Sequence, residues 1–306
     1  MNNNPLNVHV AGLDLRNPTL LASGILGYTA ESLQRVVEGG ASAVVTKSVG
    51  VAARMGYANP TVVQANDGLI NAMGLPNPGI DNYFDEIIHA KTVVRAPLIV
   101  SVFGYSADEY AQVVQKAVEA GADAVELNVS CPHVKLTGSE IGQNPTLLKE
   151  VVSKVKAAVH KPVIVKLSPN VTDIVKTAKA AVEAGADALT AINTLKALAI
   201  DAETALPILS NIRGGLSGPA IKPVALRCVY DLYEQVKTPI IGCGGITTWQ
   251  DAVEFLLAGS SAVQIGTAVA LENPDIFKAI NHGVKTYLKK KHYKSVQEVV
   301  GVAHRT

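Results

Sequence analysis

Apolar positions along this chain fall into two alternating patterns. One is a short, nearly unbroken run, as in Pro97-Leu-Ile-Val-Ser-Val-Phe-Gly104, Pro162-Val-Ile-Val-Lys-Leu-Ser168 and Pro239-Ile-Ile-Gly-Cys-Gly-Gly245. The other recurs every three or four residues, over Ala107 to Ala120, Pro145 to Val159, Thr172 to Ala184, Ile221 to Gln235 and Thr248 to Leu257. Continuous runs bounded by turn residues read as strands buried on both faces, and the longer periodic stretches as helices. The prolines suit a strand's first residue, where no ladder donor is needed.

A repeated phrase joins the two patterns: Val37-Glu-Gly-Gly-Ala-Ser-Ala-Val-Val-Thr-Lys47, Val118-Glu-Ala-Gly-Ala-Asp-Ala-Val-Glu-Leu-Asn128, Val182-Glu-Ala-Gly-Ala-Asp-Ala-Leu-Thr-Ala-Ile-Asn193 and, more loosely, Leu257-Ala-Gly-Ser-Ser-Ala-Val-Gln-Ile-Gly266. Each reads as a helix ending at a glycine suited to a left-handed cap, a tight turn, and a strand. With Thr19-Leu-Leu-Ala-Ser-Gly24 the strands number eight, at about 38 residues per unit, which is the pattern of an α/β protein of the (β/α)8 TIM-barrel class. A doubly wound sheet would need a glycine-rich first turn, and Ser23-Gly24-Ile25-Leu26-Gly27 is too sparse for one. Residues 1–306 then form a single (β/α)8 domain, with Val8 to Leu15 as a short N-terminal β-hairpin cap on the closed end.

Composition narrows the function. With 27 Lys+Arg against 26 Asp+Glu the formal charge is +1, so phosphate neutralisation cannot drive nucleic-acid binding. The cluster Lys289, Lys290, Lys291, His292 and Lys294 reads as a solvated helix end. There is no run of about 18 apolar residues, and Met1 to Pro5 lacks the basic and apolar regions of a signal peptide, so a cytoplasmic protein away from the membrane is expected. Cys131, Cys228 and Cys243 have no metal-ligand spacing, cannot form a complete disulfide framework, and fall one short of a four-cysteine iron-sulfur site.

Chemistry in barrels gathers where strands finish. The strand ends here carry Ser23, Lys47, Ser101, Asn128, Lys166, and Asn193 with Thr194. Any one Asn suits an ordinary turn, but two lysines and two asparagines in corresponding positions point to a site. The last two strands end in glycine, at Gly244 with Gly245 and at Gly266 with Thr267, and Gly214-Gly-Leu-Ser-Gly218 precedes a predicted helix. Exposed backbone N–H groups at such turns suit a phosphate, although the same glycines also suit tight turns alone. Cys131, in Asn128-Val-Ser-Cys-Pro-His-Val-Lys135, is either a buried small hydrophobe or a ligand-accessible thiol in a polar loop. A nucleophilic pair with His133 would need an acyl site that nothing else suggests. The segment Lys135 to Gln143, with Gly138 and Gly142, reads as an active-site lid loop.

From Asn17 to about Ala268 the chain resembles the class 1 dihydroorotate dehydrogenase family. The resemblance is carried by Thr46-Lys-Ser48, Asn71-Ala-Met-Gly-Leu-Pro-Asn77, Asn128-Val-Ser-Cys-Pro132, Val165-Lys-Leu-Ser-Pro169, Ile192-Asn-Thr194, Gly242-Cys-Gly-Gly-Ile246 and Gln264-Ile-Gly-Thr267. It implies one FMN per chain, with phosphate on Gly218, Gly244, Gly245, Gly266 and Thr267 and the flavin lined by Ser23, Lys47, Ser48, Ser101, Asn128, Lys166 and Ile192. At Ser101 many relatives would carry Asn. The implied substrate is dihydroorotate, held by Lys47, Asn71, Ala72, Met73, Gly74, Leu75, Asn128, Asn193 and Thr194, with Cys131 as the general base and no metal.

Cysteine as the base sets the chain apart from the quinone-linked class 2, whose base is serine. The stretch after Cys131 is more similar to the NAD-linked 1B form than to the fumarate-linked 1A homodimer, although His133 stands where both would carry Asn. The 1B form implies a partner subunit bearing FAD, a two-iron two-sulfur cluster and the NAD site, on a homodimer core within a heterotetramer. The alternatives are the fumarate-linked form, a flavin-free phosphate-binding barrel lyase or synthase, and a non-catalytic phosphometabolite-binding barrel.

Overall fold

The structure, a computed structural model, describes residues 4–129 and 138–305. Cys131, His133 and Lys135 therefore lie outside the described residues. Eight parallel strands close into a barrel: Thr19–Leu21, Ala43–Val45, Leu98–Val102, Ala124–Asn128, Val163–Leu167, Ala188–Ala191, Ile240–Cys243 and Ala262–Ile265, in that order around the ring. Each is buried along nearly its whole length, which is why the sequence runs there are apolar without alternation. Helices Ala107–Glu119, Pro145–Ala158, Ile174–Glu183, Lys222–Gln235 and Trp249–Leu257 wrap the outside within a residue or two of their expected bounds. Leu33, Ile87, Tyr110, Leu148 and Phe255 are fully buried helix residues facing the barrel.

The repeated phrase explains how the closed end is tied. Its glycines Gly121, Gly185 and Gly259 follow the helices with φ of +107°, +97° and +118°, conformations that side chains rarely tolerate. In two copies the aspartate then latches the preceding strand. Asp123 accepts from Leu98 N (2.8 Å) and Lys91 Nζ (2.6 Å), and Asp187 accepts from Val163 N and Lys156 Nζ (2.7 Å each). Each carboxylate satisfies an orphan N–H at a strand start and pairs with a helix lysine. The hairpin Val8–Val10 with Leu13–Leu15 forms as expected, and Gly12 lies against Pro162 at the start of the fifth barrel strand.

Two features depart from the sequence reading. The end of the expected lid, Gly138–Gln143, is helical, and a Cβ on Gly142 would meet Val129 O at 2.2 Å. Gly142 is thus explained by close packing, where the sequence reading had taken it as a source of loop flexibility. Long excursions after the second and sixth barrel strands, moreover, form a four-stranded antiparallel sheet over the open end. It consists of Val62–Ala65, Gly68–Asn71, Leu195–Leu198 and Arg213–Ser217. The glycine cluster Gly214 to Gly218 is therefore mostly strand: Gly215 pairs with Asn71 on one side and Lys196 on the other.

Candidate active site

The C-terminal ends of the barrel strands surround a cavity of about 380 Å³, roofed by the antiparallel sheet. Its wall carries a chain of hydroxyls and amides contributed by successive strands. Ser23 Oγ donates to Thr46 O (2.8 Å), the Ser48 and Ser101 hydroxyls pair at 2.8 Å, and Asn128 Nδ2 donates to Ser48 Oγ (3.1 Å). Asn193 Nδ2 in turn donates to Asn128 Oδ1 (3.3 Å), while Asn193 Oδ1 accepts from Thr194 N (2.8 Å). These contacts fix amide orientations, so the wall presents a set pattern of donors and acceptors.

Three glycine turns cluster together in one part of the lining. Gly244 and Gly245 have φ of +129° and +78°, and a Cβ on Gly245 would lie 2.8 Å from Lys222 N and 2.9 Å from Gly218 O. Only glycine lets these backbones meet, which leaves main-chain groups as the lining. Gly266 and Thr267 belong to the same part, with Thr267 Oγ1 donating to Ser217 Oγ (2.8 Å). Behind it, Lys222 pairs with Asp251 (2.6 Å) and Glu254 (2.9 Å). Burial pushes the Asp251 carboxyl up, but Lys222 and the Thr247 and Thr248 donors outweigh it and bring the value to about 2.

Elsewhere in the lining, the loop Asn71 to Leu75 is held in place from outside the cavity. Tyr57 N donates to Met73 O (3.0 Å), Arg54 Nε to Gly74 O (3.3 Å), and Asn77 Nδ2 to Leu75 O (2.9 Å). Gly74 and Leu75 both have positive φ, at +74° and +56°. Lys47 lines the wall half-buried, and Lys166 lies in the floor, 6% exposed. Burial alone would lower the Lys166 pKa; Cys243 and Glu126 push it up and leave it raised overall. Burial also pushes the Cys243 thiol up, and Glu126 Oε1 lies 3.7 Å from Lys166 Nζ.

A family model described as dihydroorotate dehydrogenase matches residues 5–288. The chain belongs to the dihydroorotate dehydrogenase family. Among its relatives, the protein of Thermococcus kodakarensis is 54% identical over 97% of this chain and 98% of its own length. That of Methanothermobacter thermautotrophicus is 51% identical over 98% of both chains, and that of Methanosarcina acetivorans 48% over 97% of this chain and 95% of its own. All three are named dihydroorotate dehydrogenase B (NAD(+)), catalytic subunit.

Within this dehydrogenase fold, nearly every site residue expected from sequence lines the one cavity: Ser23, Lys47, Ser48, Asn71, Met73, Gly74, Leu75, Ser101, Asn128, Lys166, Ile192, Asn193, Thr194, Gly218, Gly244, Gly245, Gly266 and Thr267. Ala72 is not among the lining residues. Its side chain is fully buried with Ile70 and Leu209, and its N–H donates to Thr61 O (2.8 Å), so it faces the roof sheet instead of the cavity. Cys131 lies outside the described residues. Sequence reasoning gave no role to Gln264 and Cys243, which line the cavity, or to Glu126 and Thr190 behind them, because each belongs to an apolar run that reads simply as strand. Among the described residues no group of His, Cys, Asp and Glu could hold a metal ion.

Proposed function

We propose that this chain is the catalytic subunit of an NAD-linked dihydroorotate dehydrogenase, which oxidises dihydroorotate to orotate in pyrimidine biosynthesis with FMN as its cofactor. The observation that carries this reading is a single cavity with a glycine-lined anion cradle, two lysines and a fixed array of amides. The cradle fits FMN because backbone N–H groups of Gly218, Gly244, Gly245, Gly266 and Thr267 bind a phosphate without adding charge. Ser23, Lys47, Ser48, Ser101, Asn128, Lys166 and Ile192 would then hold the ring. When bound, FMN supplies the acceptor for the hydride that leaves C6 of dihydroorotate.

The chain's own residues do the rest. Amides of Asn71, Asn128 and Asn193 and the hydroxyl of Thr194 read the polar edges of a cyclic amide, while Lys47 and the backbone of Met73 to Leu75 take its carboxylate. Cys131 follows Asn128 by three residues and takes the C5 proton. A thiol, with an ordinary pKa of about 8.5, does this near neutrality once partly ionised or coupled to a proton acceptor. Lys166 places positive charge against the ring, which favours its reduced, anionic form.

In the NAD-linked form electrons would reach NAD through a partner subunit that carries FAD and a two-iron two-sulfur cluster, on a homodimer core. The three cysteines support the placing of that cluster on the partner, being too few to ligate it in this chain. Anaerobic mixing of FMN-loaded protein with dihydroorotate is the direct test, and bleaching of the flavin absorbance is the expected result. A protein that takes up no flavin would favour the lyase or synthase reading. Rapid turnover with fumarate and no partner would favour the fumarate-linked homodimer.

A further inference from the structure

The layer that forms the cavity floor is unusual for a barrel interior, where branched aliphatic side chains ordinarily fill each level. Glu126, Lys166, Thr190, Cys243 and Gln264 enter it from the fourth to eighth strands, and the first and last of these are 0% and 1% exposed. Glu126 Oε2 accepts from Gln264 Nε2 (2.6 Å) and Thr190 Oγ1 (2.9 Å). Its Oε1 has no hydrogen-bond partner among the described residues and faces Lys166 Nζ at 3.7 Å. Gln264 Oε1 meanwhile accepts from Lys166 Nζ (3.0 Å). The amide thus touches the carboxylate with its donor end and the ammonium with its acceptor end. A flipped amide would oppose like groups on both sides, so this linkage suits an anion paired with a cation.

Removing one partner of a buried ion pair is costly, and well-packed apolar residues usually fill such space at least as stably. A reason for keeping the pair is therefore needed, and the only one of its two charges that lines the cavity is Lys166. We propose that Glu126 is a positioning residue for the redox reaction: from below the floor its carboxylate holds the Lys166 ammonium charged and aimed at the ring of the bound cofactor. The proposal rests on the reading of the cavity as an FMN site. Among the described residues, the titratable groups facing Lys166 are Glu126 on the fourth strand and Cys243 on the seventh, with Gln264 and Thr190 neutral beside them and Lys47 on the same cavity wall. Burial pushes the Cys243 thiol up, and among the described residues the ion-pair contact of Lys166 is the Glu126 carboxylate.

The test is the midpoint potential of bound FMN from pH 6 to 9 in the wild type, Glu126→Gln, Glu126→Asp and Lys166→Met. In Glu126→Gln the ammonium loses its counter-ion and gives up its proton within this range. Its potential should fall progressively below that of the wild type as pH rises, by at least a tenfold loss in relative affinity for reduced flavin, which is about 30 mV for a two-electron couple. Glu126→Asp should restore a flat difference, and Lys166→Met should lie low at every pH. A Glu126→Gln offset that is absent or independent of pH overturns the proposal.

Where Glu126→Gln does not hold FMN, thermal unfolding of the flavin-free protein decides. Pairing predicts that the Glu126→Gln/Lys166→Met double variant is at least as stable as either single variant, and additive losses refute it. Failure of the wild type to take up flavin would overturn the FMN reading, while this stability cycle would still judge the pair.

Discussion

Two lysines line the cavity, and their surroundings give them different work. Lys47 is half-buried in the wall, within reach of water, whereas Lys166 sits in the floor against Glu126 and Gln264. Replacing Lys47 by Ala removes the proposed charge-assisted contact with the substrate carboxylate, roughly 1.5–3 kcal/mol. Orotate binding should weaken at least about tenfold, as read by spectral titration of the flavin; unchanged affinity would remove Lys47 from the carboxylate site. Cys131→Ala takes away the proposed base. That variant should keep FMN and slow single-turnover flavin reduction by about 100-fold or more. Near-normal reduction would assign the proton to another group.

At the scale of elements, the site depends on how helices and turns are anchored behind it. The helix Trp249–Leu257 begins with a capping box in which Thr248 accepts from Asp251 N, and Asp251 accepts from Thr247 N (2.9 Å) and Thr248 N (2.8 Å). Lys222, at the start of the next helix back, joins the same carboxylate and flanks the Gly245 turn. Because the Asp251 carboxyl is lowered from 3.8 to about 2, its contribution is present in full above pH 4 and lost as pH falls toward 2. Asp251→Asn should therefore cost about 2 kcal/mol at pH 7 and progressively less between pH 4 and pH 2. Chemical denaturation at several pH values checks this, and a penalty that does not change with pH would remove the charge from the explanation.

For the whole molecule, a closed barrel explains why one chain can both hold and shield its reacting groups. The strands deliver side chains from eight separate sequence positions to one end, and the antiparallel sheet covers that end. Among the described residues no helix is long and apolar enough to cross a membrane. The chain alone should reduce its flavin with dihydroorotate yet fail to reduce NAD. NAD reduction should appear when a second chain carrying FAD and iron is added, in a coupled assay at 340 nm or so. Fast NAD reduction by the isolated chain would overturn the two-subunit scheme.

The sequence by itself determined the eightfold alternation, the hairpin and most of the cavity lining, because strand ends and glycine turns are marked locally. Apolar runs stop at Lys47, Asn128, Lys166 and Asn193, and helix-to-strand junctions repeat the same phrase. Only the tertiary structure decided the roof sheet and the floor. The strand Arg213–Ser217 pairs with Gly68–Asn71, segments more than a hundred positions apart, and nothing in either local pattern signals that register. Glu126, Thr190 and Gln264 look in sequence like isolated polar residues within buried strands. Their meaning comes from barrel closure, which brings the fourth, sixth and eighth strands to face one another and gives each buried polar group its partner.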